Sequence, residues 1–156
     1  MTCKEYNTSV SNLSDGLYRF ALRYTGDGDA SRDAVQDSFV VLWEHRREVS
    51  AEGAKAYLYR VLYYRLVDAH RREQHFDRVA SPEPQVQANN AFELHDSLQQ
   101  ALDALNEVQR SLVLLRDLEG YSYKEMAAML SLSEQQVMVY LYRARKTMKQ
   151  ILNEIL

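Results

Sequence analysis

Apolar residues recur at helical spacing along nearly the whole chain, and only one long stretch breaks the rhythm. That stretch holds Ser81-Pro82-Glu83-Pro84-Gln85 and then Gln87-Ala88-Asn89-Asn90, polar and punctuated by both prolines of the sequence. A proline lacks the N–H that a helix interior needs, and polar residues offer no stripe to bury. The pattern predicts an all-α protein of two small helical domains joined by a flexible linker. The bounds are 1–76 for the N-terminal domain, 77–92 for the linker and 93–156 for the C-terminal domain. A chain of 156 residues can supply two such domains, and five glycines and two prolines suit long helices.

Seven helices are expected and no strands. The first runs from about Asn12 to Tyr24, with Leu13, Leu17, Phe20, Ala21 and Tyr24 on one face, and stops at Thr25-Gly26-Asp27-Gly28. A calcium loop opening at Asp27 is rejected: Arg32 stands where the glycine would be needed, and Ser38 where the closing glutamate would. The second helix spans about Asp29 to Arg47, with Val35, Phe39, Leu42 and Trp43 as its stripe. The third runs from Ala51 or Ala54 to His75, with Leu58, Val61, Leu62, Leu66 and Ala69 inward. The second domain begins near Phe92. Asn106 caps one of its helices; Ser122 with Glu125, and Ser133 with Gln136, form capping boxes that open two more.

Charge is unevenly placed. The net is −3, yet residues 55–78 carry six Lys/Arg against three Asp/Glu, and residues 138–156 four against one. Two basic segments in an acidic protein suit contact with phosphates at two places, although solvated helix faces produce the same pattern. No apolar run approaches the roughly 20 residues of a membrane span. The first fifteen residues lack a secretory apolar core, and Cys3 has no second cysteine to pair with. A cytoplasmic protein without membrane insertion is expected.

The segment Ser122–Arg145 reads as a helix-turn-helix, with a three-residue turn and a basic second helix bearing Arg143, Arg145, Lys146 and Lys149. In the third helix Arg60, Tyr64 and Arg71 share one angular sector, with Arg72 beside them. Arginines interleaved with Tyr57, Tyr59, Tyr63 and Tyr64 match what single-stranded DNA requires, charge for the backbone and rings for the bases. Tyr57 and Tyr63 fit packing better. The second helix offers Asp33, Gln36 and Asp37 near Phe39 and Trp43, an acidic face for a basic protein partner. His45, His70, His75 and His95 lack metal-ligand spacing, no glycine loop can cradle phosphate, and no serine sits in a nucleophile elbow. The sequence calls for no catalytic site, metal or cofactor.

Three segments resemble one family. Asp33-Ala34-Val35-Gln36-Asp37-Ser38-Phe39 with Leu42-Trp43 is similar to the polymerase-docking helix of extracytoplasmic-function (ECF) sigma factors. Ala56-Tyr57-Leu58-Tyr59-Arg60-Val61 with Asp68 and Arg71-Arg72 resembles their helix for the promoter's minus-ten element. Ala104-Leu105, Glu119-Gly120-Tyr121-Ser122 and Tyr142-Arg143-Ala144-Arg145 resemble their minus-thirty-five domain. The resemblance covers about residues 14–152. It implies that Asp33, Gln36, Asp37, Phe39 and Trp43 bind core RNA polymerase. It further implies that Arg60, Tyr64, Arg71 and Arg72, with the loop Arg46 to Lys55, engage melted minus-ten DNA. Ser133, Gln135, Gln136, Met138, Tyr140 and Arg143 would serve the minus-thirty-five element, and an anti-sigma factor would be a further partner.

The chain departs from that pattern at Tyr64, where the family usually has Asn; at Ser131, where it has Gly; and at Met138-Val139, where it has Lys-Ser. Losing a phosphate-binding lysine weakens DNA affinity and flattens its salt dependence. A helix-turn-helix regulator without polymerase, and a degenerate relative acting by protein contact alone, are the competing readings.

Overall fold

A computed structural model describes residues 1–79 and 90–155, with side chains for 1–75 and 96–155. Those residues form seven α-helices and no strand. They are α1 (Cys3–Thr25), α2 (Gly28–Glu44), α3 (Ala54–Val79), α4 (Asn90–Asp103), α5 (Glu107–Val113), α6 (Tyr123–Leu130) and α7 (Glu134–Ile155). α5 continues into a π-helical turn at Leu114–Leu118.

Local chemistry sets the helix ends. Thr2 caps α1 by accepting the Glu5 N–H at 3.1 Å, so the helix begins nine residues before the expected Asn12. Cys3 therefore sits in a helical first turn. The Met1 amino group is also tied down, donating to the Arg46 carbonyl at 2.5 Å and the Val49 carbonyl at 3.3 Å. Gly26 closes α1 at φ +72°, a conformation glycine adopts without steric cost. Asp27 spends one carboxylate oxygen on the Asp29 and Ala30 N–H groups at 3.0 and 3.1 Å, the work of an N-cap. Among the described residues no cluster of His, Cys, Asp or Glu could hold a metal.

The domain edges differ slightly from expectation. α3 runs on to Val79 and α4 starts at Asn90, so both enter the segment read as linker; residues 80–89 of that segment lie outside the described residues. α2 ends at Glu44, and 45–48 form turns rather than helix.

In the first domain α1, α2 and α3 bury Leu17, Phe20, Phe39, Leu42, Leu58, Leu62 and Leu66 against one another. In the second, Leu112, Leu115, Met126, Met129, Val137, Leu141 and Ala144 join α5, α6 and α7. The two sets merge into one apolar cluster because α3 packs against α6 and α1 against the π turn. Leu118, at helical spacing from the buried Leu115, is about half exposed; the wider π turn rotates it outward. Val61 is half-buried and Ala69 exposed, while Tyr59, Tyr63 and Val67 take the inward positions instead.

Two substitutions check this account in urea denaturation. Leu62, wholly buried, should lose about 2–5 kcal/mol when cut to alanine. Ser131, at φ +57°, should gain on the order of 1 kcal/mol as glycine, since a left-handed backbone crowds any Cβ. A midpoint that falls for Ser131→Gly would show that the hydroxyl compensates for the backbone.

Candidate nucleic-acid interface

The helix-turn-helix is built by its caps. Ser122 accepts the Glu125 N–H at 3.1 Å while Glu125 accepts the Ser122 N–H at 3.3 Å, which starts α6. Ser131 ends it in the left-handed conformation. Ser133 and Gln136 repeat the reciprocal bonds at 3.0 and 2.9 Å to start α7. Ala127, Leu130, Val137 and Leu141 then hold the two helices together.

This geometry sorts the expected DNA contacts. Ser133 and the carbonyl oxygen of Gln136 are occupied by capping, and Tyr140 is half-buried against the core. Gln135, Met138, Val139 and Arg143 are exposed on α7. Tyr142 belongs with them: it is the most exposed large apolar side chain there, at 69%. It lies at i+4 from Met138 and i+7 from Gln135, a helical-face signal that the sequence already carried. Arg145 is paired with Asp117, so the basic end of α7 is Arg143, Lys146 and Lys149, all exposed.

The residues of α3 expected to meet the minus-ten element divide differently. Tyr64 is exposed and tilted against Tyr63, and Arg72 is exposed. Tyr59, expected as aromatic surface, is buried to 1%. Its hydroxyl lies 2.8 Å from that of Tyr121, and burial raises its pKa far above the ordinary tyrosine value. Tyr57 is half-buried and Tyr63 buried. Arg60 donates to the Ala128 carbonyl at 2.5 Å, and Arg71 donates to Glu107 at 3.0 Å. Both partners belong to the second domain.

Further pairs cross the same seam. Lys55 meets Glu125 at 2.8 Å, and Arg19 and Arg23 of α1 converge on Glu119 at 3.0 and 2.9 Å. Arg110, 2% exposed, lies over the ring of Tyr24, whose buried hydroxyl is pushed up to about 12 by desolvation. Hydrogen bonds from Arg71 and Lys55 hold the Glu107 and Glu125 carboxyls below their ordinary value.

On α2, Asp33, Gln36 and Asp37 are exposed, with Asp37 3.3 Å from Arg65. Phe39 does not share this face. It is 8% exposed, belongs to the core, and supports the helix from behind. Val40, 53% exposed, occupies the outward position at i+3 from Asp37. Trp43 is 37% exposed, with Tyr6 against its edge and the Arg46 guanidinium 3.9 Å from its ring centroid.

Two families match this chain: Sigma-70 region 2 over residues 10–76 and Sigma-70, region 4 over residues 95–148. The chain belongs to the ECF sigma factors of the sigma-70 family. It is therefore a non-enzymatic transcription initiation factor whose two domains are promoter-recognition domains. Among its relatives, this sigma factor is 29% identical to ECF RNA polymerase sigma factor SigE of Mycolicibacterium smegmatis, over 92% of its own length and 60% of the relative's. It is 28% identical to SigL of Mycobacterium tuberculosis, covering 89% and 84%, and 27% identical to SigV of Bacillus subtilis, covering 91% and 87%. Two solved structures share the fold. RpoE in complex with the anti-sigma factor NepR, from Bartonella quintana, has a TM-score of 0.71 at 19% identity and covers 96% of this chain and 98% of that one. CnrH in complex with the cytosolic domain of CnrY has a TM-score of 0.74 at 22%, covering 96% and 88%.

The carboxyl shifts at the seam predict a pH dependence. A carboxyl whose pKa is depressed by a contact favours that contact above its ordinary value, 4.5 here, and ceases to as the pH falls through the depressed one. Glu107 faces Arg71 and His70, and Glu125 faces Lys55. The domain contact should therefore be flat from pH 8 to 6 and weaken below pH 4.5, read by small-angle scattering. Weakening above pH 6 would point to a different group.

Proposed function

We propose that this sigma factor binds core RNA polymerase through the outward face of α2 and reads promoter DNA with α3 and α7. The supporting observation is that two separate helices present exposed basic and aromatic or amide side chains, while a third presents acids around an apolar centre. On α2 the docking residues are Asp33, Gln36, Asp37 and Trp43, with Val40 between them. An acidic face of this kind complements a basic partner and sets encounter and register.

For the minus-thirty-five element, α7 enters the major groove with Gln135, Met138, Val139 and Tyr142 toward the bases and Arg143 toward phosphate. Amide and apolar side chains suit adenine edges and thymine methyl groups better than guanine, which is read chiefly by arginine and lysine. For the minus-ten strand, Tyr64 supplies a stacking surface where the family's usual asparagine is missing, and Arg60, Arg71 and Arg72 supply charge. A cytoplasmic location follows from this work; among the described residues no helix is long and apolar enough to cross a membrane. An anti-sigma factor is a further expected partner, by analogy with the RpoE–NepR complex.

Pull-down with bacterial core RNA polymerase tests the docking face. Asp37→Arg, folded by circular dichroism, should weaken binding by about tenfold or more, because a like charge replaces a complementary one. Equal binding by wild type and variant would remove Asp37 from the interface, and no binding by either would favour a regulator that acts without polymerase. Arg143→Ala should weaken minus-thirty-five binding across sequences and reduce the logarithmic salt slope by about one unit. An effect confined to one base pair would make Arg143 a base reader instead.

A further inference from the structure

Burial separates the five methionines of this chain by their access to oxidants. Met126 and Met129 are 0% and 1% exposed, and Met1 and Met148 are half-buried against the core. Met138 is 55% exposed. It stands on the outward face of α7, beside Val139 and one helical turn before Tyr142, both also exposed. Val137 and Leu141, on the other side of the helix, are enclosed, so a change at the Met138 sulfur leaves the packing of the helix-turn-helix intact. The lysine that the family usually has at this place is not a thioether and lacks this chemistry. We propose that Met138 is a reversible modification site: a peroxide converts its thioether to the sulfoxide, and the sulfoxide weakens the grip of α7 on the minus-thirty-five duplex.

The chemistry needs no other group of the protein. A sulfur lone pair attacks one peroxide oxygen, the O–O bond breaks and an S–O bond forms. With a proton transferred to the departing oxygen, water leaves. Sulfur is oxidised by two electrons and the peroxide is reduced by two. The product is polar and chiral where the thioether was apolar and flexible. Met138, Val139 and Tyr142 meet DNA as an apolar patch that must shed water on contact. A sulfoxide in that patch gives up its hydration on binding and carries a partly negative oxygen into the field of the phosphates. Burial protects Met126 and Met129, whose oxidation would break the core instead. The exposed site thus changes binding without changing the fold, and methionine sulfoxide reductases can reverse it.

The inference rests on α7 reading duplex DNA, and the test keeps the two apart. Cys3 is exposed as well, so the full-length protein carries Cys3→Ser throughout. The probe is a fluorescein-labelled duplex selected from a random pool by that protein in its reduced form. After treatment with hydrogen peroxide, mass spectrometry should find one added oxygen on Met138 ahead of Met126 and Met129, with helicity unchanged by circular dichroism. Affinity for the probe should fall about tenfold, the scale of burying one unsatisfied polar group. Methionine sulfoxide reductases of both epimer specificities should restore it. Met138→Leu keeps an apolar side chain without sulfur; it should hold the probe and be indifferent to peroxide. An equal loss in Met138→Leu, or a loss of helicity on oxidation, would trace the effect elsewhere and overturn the site. Unchanged affinity with Met138 oxidised removes the switch alone and leaves duplex reading by α7 standing. A reduced protein that enriches no duplex from the pool overturns that reading and the switch with it.

Discussion

Everything in this structure depends on α3 having two working faces. One face buries Leu58, Leu62 and Leu66 among α1 and α2, and the other carries Lys55, Arg60 and Arg71 to the second domain. Burial fixes the helix; the charged face is available for exchange. Exposed ion pairs individually contribute little, so Lys55–Glu125 and Arg71–Glu107 hold the two domains together only weakly. Glu119 differs, because it is almost enclosed and would lose two guanidinium partners at once. The seam thus combines one firm anchor with several exchangeable contacts.

The same economy appears in the helix-turn-helix. Side chains near the start of α7 are consumed in building it, Ser133 and Gln136 in the cap and Val137 in the core. What remains for DNA is Gln135, Met138, Val139 and Tyr142, a face nearly without charge, followed by Arg143 and Lys146. On the proposed reading, affinity for phosphate comes from the C-terminal half of the helix and base discrimination from the N-terminal half. The family's usual lysine after the valine would mix the two proposed roles; Met138 in its place leaves an exposed apolar side chain there instead of a charge.

Much of this was legible in the sequence because it is local. Capping boxes at Ser122 and Ser133 and the cap at Asn106 are set by residues three positions apart, and the structure places all three as expected. Ser131 stands where the family usually has glycine, and the structure places it in the left-handed conformation. The start of α1 was less visible because Lys4, Glu5 and Asn7 interrupt the apolar rhythm, although Thr2 and Glu5 stand at capping-box spacing. Burial at helix junctions was not legible. Phe39 lies next to exposed Val40 and Tyr59 next to half-buried Arg60, and only the crossing of neighbouring helices decides which of two adjacent residues is covered. Partners across the seam, Arg60 with Ala128 and Arg71 with Glu107, are separated by 68 and 36 residues and leave no trace in a periodic pattern.

The most direct test of the central claim is transcription itself. Core RNA polymerase, reconstituted with this protein and given a library of genomic fragments, should start RNA chains at discrete positions absent with core enzyme alone. Those positions should share two upstream elements at a fixed separation. Start sites indistinguishable from those of core enzyme alone, with a protein that is folded and bound to polymerase, would contradict promoter recognition by these two domains.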